Sequence, residues 1–153
     1  MRNWNPFTPA GAAAASAAKL AAVADTHNDV IKGTDGDDLL LGHTGNDRLY
    51  GGNGNDVLHG GAGEDILEGG SGHDVFVFDS LPDIHDILSD FNPKEDKIDI
   101  DALLTHNGIA SIKTVSDVTG LYVDVDGSGS AKAILVATFE HHLSPDIIKD
   151  ILA

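Results

Sequence analysis

The chain is expected to fold as a mainly β solenoid. A nine-residue unit repeats from Gly33 to Val77, every unit carries a large apolar residue at its eighth position, and each unit divides into a glycine-rich turn and a short strand. The units start at Gly33, Gly42, Gly51, Gly60 and Gly69, and their fourth positions are again glycine: Gly36, Gly45, Gly54, Gly63 and Gly72. The sixth position is Asp in each unit, at Asp38, Asp47, Asp56, Asp65 and Asp74. The eighth is Leu40, Leu49, Leu58, Leu67 or Phe76. A fixed short period of this kind marks a solenoid.

Each element follows from the unit. Gly51-Gly52-Asn53-Gly54-Asn55-Asp56 suits neither helix nor strand. Glycine at positions 1 and 4 permits positive φ and a tight turn with its carbonyls on one side. Val57-Leu58-His59 is long enough for a short strand, in which Leu58 faces one way and its two neighbours the other. Turn and strand in alternation wind the chain around a narrow axis with the eighth-position residues inside. Two units complete one coil, so alternate turns stack on opposite edges.

The turns carry the chemistry. Neighbouring strands lie about 4.8 Å apart, so carboxylates stacked on one edge repel unless a cation separates them. Ca²⁺ accepts oxygens at roughly 2.3–2.6 Å and reaches two successive turns from a point between them. The expected pairs are Asp38 with Asp56, Asp56 with Asp74, and Asp47 with Asp65. The remaining ligands are expected from backbone carbonyls. Position 1 offers Gly33, Gly42, Gly51, Gly60 and Gly69; position 3 offers Asp35, Thr44, Asn53, Ala62 and Ser71; position 5 offers Asp37, Asn46, Asn55, Glu64 and His73. Hard oxygens, with no cysteine and no convergent histidines, favour calcium over zinc or copper.

These units resemble the RTX (repeats-in-toxin, haemolysin-type) calcium-binding nonapeptide, G-G-x-G-x-D-x-U-x. Units three to five match it through Gly51-Gly52, Gly60-Gly61 and Gly69-Gly70, whereas Thr34 and His43 replace the second glycine in the first two. Those two turns are expected to bind more weakly or to act as a cap. The resemblance implies a parallel β-roll over residues 31–78, with Asp38, Asp47, Asp56, Asp65 and Asp74 bridging successive calcium ions. A flexible Gly/Asp linker is disfavoured by the regular apolar eighth position.

Composition agrees. A net charge of −16 over 153 residues argues against nucleic acid or an anionic membrane as partner. The absence of cysteine excludes a disulfide scaffold and suits a chain that stays unfolded before export. No apolar stretch approaches transmembrane length. Residues 1–30 read as an alanine-rich leader, expected as a helix from near Ala10 after Pro6 and Pro9, or as a linker or added segment. Arg2, the run from Ala12 to Ala24 and Ala22-Val23-Ala24 loosely resemble a cleavable secretory signal, but Lys19 interrupts the run.

Beyond the repeat, residues 79–153 are expected to form a small mixed β/α cap. Phe76, Phe78, Ile84, Ile87, Leu88 and Phe91 can close the open end of the coil, and Ile98 and Ile100 alternate with Asp99 and Asp101 as in a half-buried strand. Leu121-Tyr122-Val123 and Ala133-Ile134-Leu135-Val136 read as hairpin arms joined through Asp126-Gly127-Ser128-Gly129, and Ser144-Pro145 opens a final helix. The block Asp86-Ile87-Leu88-Ser89-Asp90-Phe91 with Asp96-Lys97-Ile98-Asp99-Ile100 resembles the segment downstream of repeats in type I-secreted RTX proteins. Residues 122–129 are similar to the ends of large secreted adhesins. The resemblance implies a type I secretion signal in this region and a terminal calcium site involving Asp90.

No catalytic constellation is present: H-E-x-x-H, G-x-S-x-G and a phosphate loop are all missing, so no enzyme activity is expected. Asp124 to Gly129 begins like an EF-hand loop, but Leu135 stands where the bidentate Glu is needed. The adjacent His141 and His142 point to opposite faces of a strand and make a poor ligand pair. The expected function is a calcium-dependent folding module carrying the type I secretion signal of an exported protein, an adhesin by resemblance. Its expected partners are calcium, the type I secretion machinery and other domains of a larger parent, and its expected place is secreted or at the cell surface. The alternatives are the non-catalytic tail of a secreted RTX protease or lipase, and a freestanding extracellular calcium- or ligand-binding module.

Overall fold

The structure, a computed structural model, describes residues 19–79, 85–100, 102–103, 109–115, 118–124, 134–141 and 143. Its strands are β1 (Lys19–Val23), β2 (Val30–Lys32), β3 (Asp38–Thr44), β4 (Arg48–Asn53), β5 (Val57–Ala62), β6 (Ile66–Ser71), β7 (Val75–Val77), β8 (Asp86–Leu88), β9 (Lys97–Asp99), β10 (Ile109–Val115), β11 (Val118–Asp124) and β12 (Ile134–Phe139). The chain alternates between two sheets. One has the order β1-β3-β5-β7-β9 and is parallel throughout; the other runs β2-β4-β6-β8 in parallel and continues through β12, β11 and β10. This is the expected parallel β-roll, two units to a coil.

The register stacks the apolar eighth positions in two columns. Leu40 lies against Leu58, Leu58 against Phe76 and Phe76 against Ile98. On the other sheet Ile31 meets Leu49, Leu49 meets Leu67 and Leu67 meets Leu88. All eight side chains are buried in one core. Burial of a Leu side chain contributes about 1.5–3 kcal/mol, so every turn added extends the column that holds its neighbours.

The roll begins earlier than the repeat. Residues 24–32 form a degenerate unit, with Asp29 at its sixth position and the buried Ile31 at its eighth. Lys19–Val23, expected within an alanine-rich helix, is instead strand β1 on the edge beside β3. A hydrogen-bonding edge on β3 is satisfied by an added strand, whereas a helix leaves that edge bare. Residues 1–18 lie outside the described residues.

The roll also ends later. β8 and β9 are two further turns, lengthened so that Asp86 and Asp96 sit 21 and 22 residues after the aspartates they stack on, against 18 within the repeat. The insertions hide the period without breaking the stack. Phe91 closes the end, 5.8 Å from Phe76 and 5.3 Å from Phe139 between ring centroids. Phe78 and Leu88 are buried there as expected, while Ile87 stands half-buried in β8 beside Ile66 and Thr138. Ile98 and Ile100 are buried, but so is Asp99, and of the Lys97–Asp99 strand only Lys97 is exposed. The expected hairpin arms are β11 and β12, paired antiparallel with Tyr122 opposite Leu135. β10 extends the meander as a strand the sequence reading did not place. Among the described residues the cap is all β, without the helical component expected. Ile84, Asp101, the 126–129 turn, His142 and the helix from Ser144 lie outside the described residues.

Candidate metal centre

The sixth-position aspartates are buried: Asp38 and Asp56 are 0% exposed, and Asp47, Asp65 and Asp74 are 1% exposed. Burying a carboxylate is costly unless it is paired. The roll pairs one oxygen of each with backbone. Asp56 Oδ1 accepts from Asp38 N–H at 2.8 Å, Asp65 Oδ1 from Asp47 N–H at 2.7 Å, and Asp74 Oδ1 from Asp56 N–H at 2.9 Å. The ladder runs past the repeat in both directions. Asp29 N–H donates to Asp47 Oδ1, Asp65 N–H to Asp86 Oδ1, and Asp74 N–H to Asp96 Oδ1. Thus one edge carries Asp38, Asp56, Asp74 and Asp96, and the other Asp29, Asp47, Asp65 and Asp86.

The second oxygen differs. Oδ2 of Asp47, Asp56 and Asp74 is buried with no hydrogen-bond partner. It points at the first-position glycine of its own turn. A Cβ placed on Gly42 would stand 2.6 Å from Asp47 Oδ2 and collide with the Gly60 carbonyl oxygen. A Cβ on Gly51 would likewise overlap Asp56 Oδ2 and the Gly69 carbonyl oxygen. One carboxylate oxygen and one carbonyl oxygen from the next turn on the same edge therefore converge on the space beside Gly33, Gly42 and Gly51, and the carboxylate oxygens of Asp65 and Asp74 crowd Gly60 and Gly69 in the same way. That space explains the invariant glycine. Positive φ belongs instead to positions 2 and 4, at His43, Gly52, Gly61 and Gly70 and at Gly45, Gly54, Gly63 and Gly72. The conformational reading of position 1 is corrected accordingly: it needs the absence of a side chain, not a left-handed backbone. Gly51→Ala should abolish binding in the Asp56 turn and lower the melting temperature in calcium, measured by titration calorimetry and thermal denaturation.

Electrostatics show what the space lacks. Burial first, then the neighbouring Asp38 and Asp37 charges, push the Asp56 carboxyl up to about 6 against the opposing Asp38 N–H bond. Burial and the charges of Asp96, Asp56 and Asp90 push Asp74 up to about 7. Burial also raises Asp47 and Asp96. A cation beside these oxygens reverses the penalty. Among the described residues no three His, Cys, Asp or Glu side chains converge, so the donors are single carboxylates with backbone carbonyls. An all-oxygen set of this kind fits a hard divalent cation such as Ca²⁺.

The other expected ligands divide by position. First-position carbonyls of Gly51, Gly60 and Gly69 face the carboxylates. At the third position the carbonyls of Ala62 and Ser71 accept from Gly45 N–H and Gly54 N–H, at 3.0 and 2.9 Å, and so tie one coil to the next. Asn53 Nδ2 donates to Asp35 Oδ1 at 2.9 Å. Fifth-position side chains build an outer ladder: Asp37 Oδ1 accepts from Asn55 N–H, Asn55 Oδ1 from His73 N–H, and Asn46 Oδ1 from Glu64 N–H. The His73 ring turns to the Glu95 carbonyl, 3.0 Å away. Asp90 accepts Gly69 N–H and Gly70 N–H on its two oxygens, at 2.9 and 2.7 Å, and caps the last repeat turn.

Sequence reasoning missed Asp29 and the stacking role of Asp86 and Asp96. Asp29 and Ile31 were detectable, standing nine residues before Asp38 and Leu40. Asp86 and Asp96 were not, since the inserted residues break the count.

The family described as the RTX calcium-binding nonapeptide repeat (4 copies) matches residues 23–58 and 41–76. Both windows lie inside the roll, and their start at Val23 takes in the degenerate unit. Among solved structures, the AlgE6R3 subunit of the Azotobacter vinelandii mannuronan C5-epimerase is 29% identical, covers 88% of this chain and 82% of its own, and superposes with a TM-score of 0.67. The AlgE6R2 subunit of that epimerase is 27% identical over 82% of this chain and 91% of its own, with a TM-score of 0.53. None of the curated proteins matches the chain.

Proposed function

We propose that this RTX calcium-binding repeat module, whose nonapeptides occupy residues 23–76, is a calcium-driven folding unit of a type I-secreted protein and has no catalytic activity of its own. The observation that carries the reading is the set of buried, unpartnered Oδ2 atoms on Asp47, Asp56 and Asp74, each beside a first-position glycine. Asp47, Asp56, Asp65 and Asp74 hold the ions with the first-position carbonyls, and Asp86 and Asp96 lengthen both carboxylate rows. RTX repeat proteins are typically exported, and calcium is the ion their nonapeptides bind.

The chain's own residues supply the mechanism. Without calcium the stacked carboxylates repel, and ordering the glycine-rich turns costs conformational entropy. The unfolded chain is then narrow enough to be threaded through a secretion conduit. Outside the cell, calcium binds the coiled form alone, so binding free energy becomes folding free energy. Extracellular sites bind at about 10⁻⁴–10⁻³ M, far above cytosolic calcium. The secretion signal is assigned to residues 79–153, of which β12 also completes the sheet beside β8. Fused behind a reporter and co-expressed with a type I transporter, the whole chain should carry the reporter into the medium. Retention in the cell with an active transporter would sink the export assignment.

The resemblance of residues 122–129 to adhesin ends favours an adhesin parent. A second reading, an accessory module of a secreted enzyme, is supported by the likeness to two subunits of an epimerase. The sequence upstream in the parent separates the two, since a catalytic domain there supports only the second.

A further inference from the structure

The first repeat turn is built differently from those that follow. Asp38 Oδ2 stands beside Gly33, in the place that Oδ2 of Asp47 and of Asp56 takes beside Gly42 and Gly51. The Gly51 carbonyl oxygen faces it as Gly60 and Gly69 face the others. Yet this oxygen has partners: Thr34 N–H donates to it at 2.5 Å and Thr34 Oγ1 at 2.9 Å. The backbone differs to match. Neither Thr34 nor Gly36 has positive φ, whereas the second and fourth positions of the next four turns all do. A residue without positive φ at position 2 leaves its N–H aimed into the space where a cation would sit. The same device recurs at the far end of this edge, where Asn92 N–H, also four residues upstream, donates to Asp96 Oδ2 at 2.8 Å.

We infer that Thr34 closes the first site of the roll. Its peptide N–H and hydroxyl supply the positive ends of dipoles that Asp38 Oδ2 needs, and they stand where a calcium ion would have to enter. The sandwiched site expected between Asp38 and Asp56 therefore takes no calcium, and the ion row on this edge starts at the Asp56 turn. Thr34 is a residue that sets calcium stoichiometry, and in the folded roll its two hydrogen bonds hold the first turn in place of an ion. The inference rests on the calcium reading above.

The test is calcium titration calorimetry on the full chain and on Thr34→Gly, with circular dichroism confirming that each is folded in calcium. Glycine, the residue at this position in units three to five, frees the backbone to adopt positive φ and withdraw the N–H. Thr34→Gly should bind one calcium more than the wild type, and an equal number would overturn the inference. Anomalous diffraction from wild-type crystals grown in calcium needs no variant. An ion peak at Asp56 Oδ2 with none at Asp38 Oδ2 supports closure, and a peak at Asp38 Oδ2 overturns it. No peak at Asp47, Asp56 or Asp74 would instead overturn the calcium reading, and this inference with it.

Discussion

Stripped of calcium by chelator near pH 7.5, the chain should lose its β circular-dichroism signal, and millimolar calcium should restore it while magnesium does not. Tenfold excess over Kd adds about 1.4 kcal/mol per site, so the sites at Asp47, Asp56 and Asp74 together contribute about 4 kcal/mol. That is close to the whole stability of a marginal domain. Magnesium demands a tight octahedral shell and gives up water reluctantly, which backbone carbonyls on a roll cannot compensate. The calcium-free form should also respond to acid in the opposite sense to most proteins. The Asp56 and Asp74 carboxyls are raised to about 6 and about 7 in the fold, above the ordinary aspartate value of 3.8. Protons therefore bind the folded form more tightly. Their contribution to stability is fully present below about pH 4 and is lost as pH rises through 6 and 7. The calcium-free chain should thus be more ordered at pH 4.5 than at pH 8. Calcium affinity should run the other way, weakening as pH falls below 7, because ions and protons compete for the same oxygens. A β-folded chain in excess chelator at pH 8 would refute the calcium-driven account.

Replacing Asp56 should have a large effect on stability, and the replacement chosen should decide its sign. Asp56→Ala removes the acceptor for Asp38 N–H, a loss of about 1–3 kcal/mol for a buried donor left alone, and removes a calcium ligand worth about 1.4 kcal/mol at tenfold excess. The sum is about 2–4 kcal/mol in calcium, read by urea denaturation. Asp56→Asn keeps an oxygen for the Asp38 N–H but discards the charge. In chelator at pH 8 it should therefore be more stable than wild type, and in calcium less stable. If both variants titrate with calcium as the wild type does, Asp56 is not a ligand and the assigned register of the sites is wrong.

Much of this architecture is written in local pattern. The nine-residue spacing of Asp38, Asp47, Asp56, Asp65 and Asp74, with an apolar residue two positions beyond each, determined the coil, its two edges, the inward columns and the class of ion. The reason is physical: a short repeat lets each unit meet an identical neighbour, so one unit's periodicity specifies all its contacts. Where the period fails, tertiary contacts decided the outcome. Leu20 and Ala22 read as helix formers, yet the free edge of β3 recruits them as a strand. Asp86 and Asp96 join the carboxylate rows only because the core columns hold Leu88 and Ile98 in line across insertions of uneven length. The role of position 1 was likewise hidden, since the crowding by a carboxylate and the next turn's carbonyl exists only once two coils are stacked. Thr34 reads in the sequence as a mild departure from Gly-Gly. Only the folded turn shows its N–H and hydroxyl on Asp38, because whether a peptide presents N–H or empty space to an ion depends on φ at one residue.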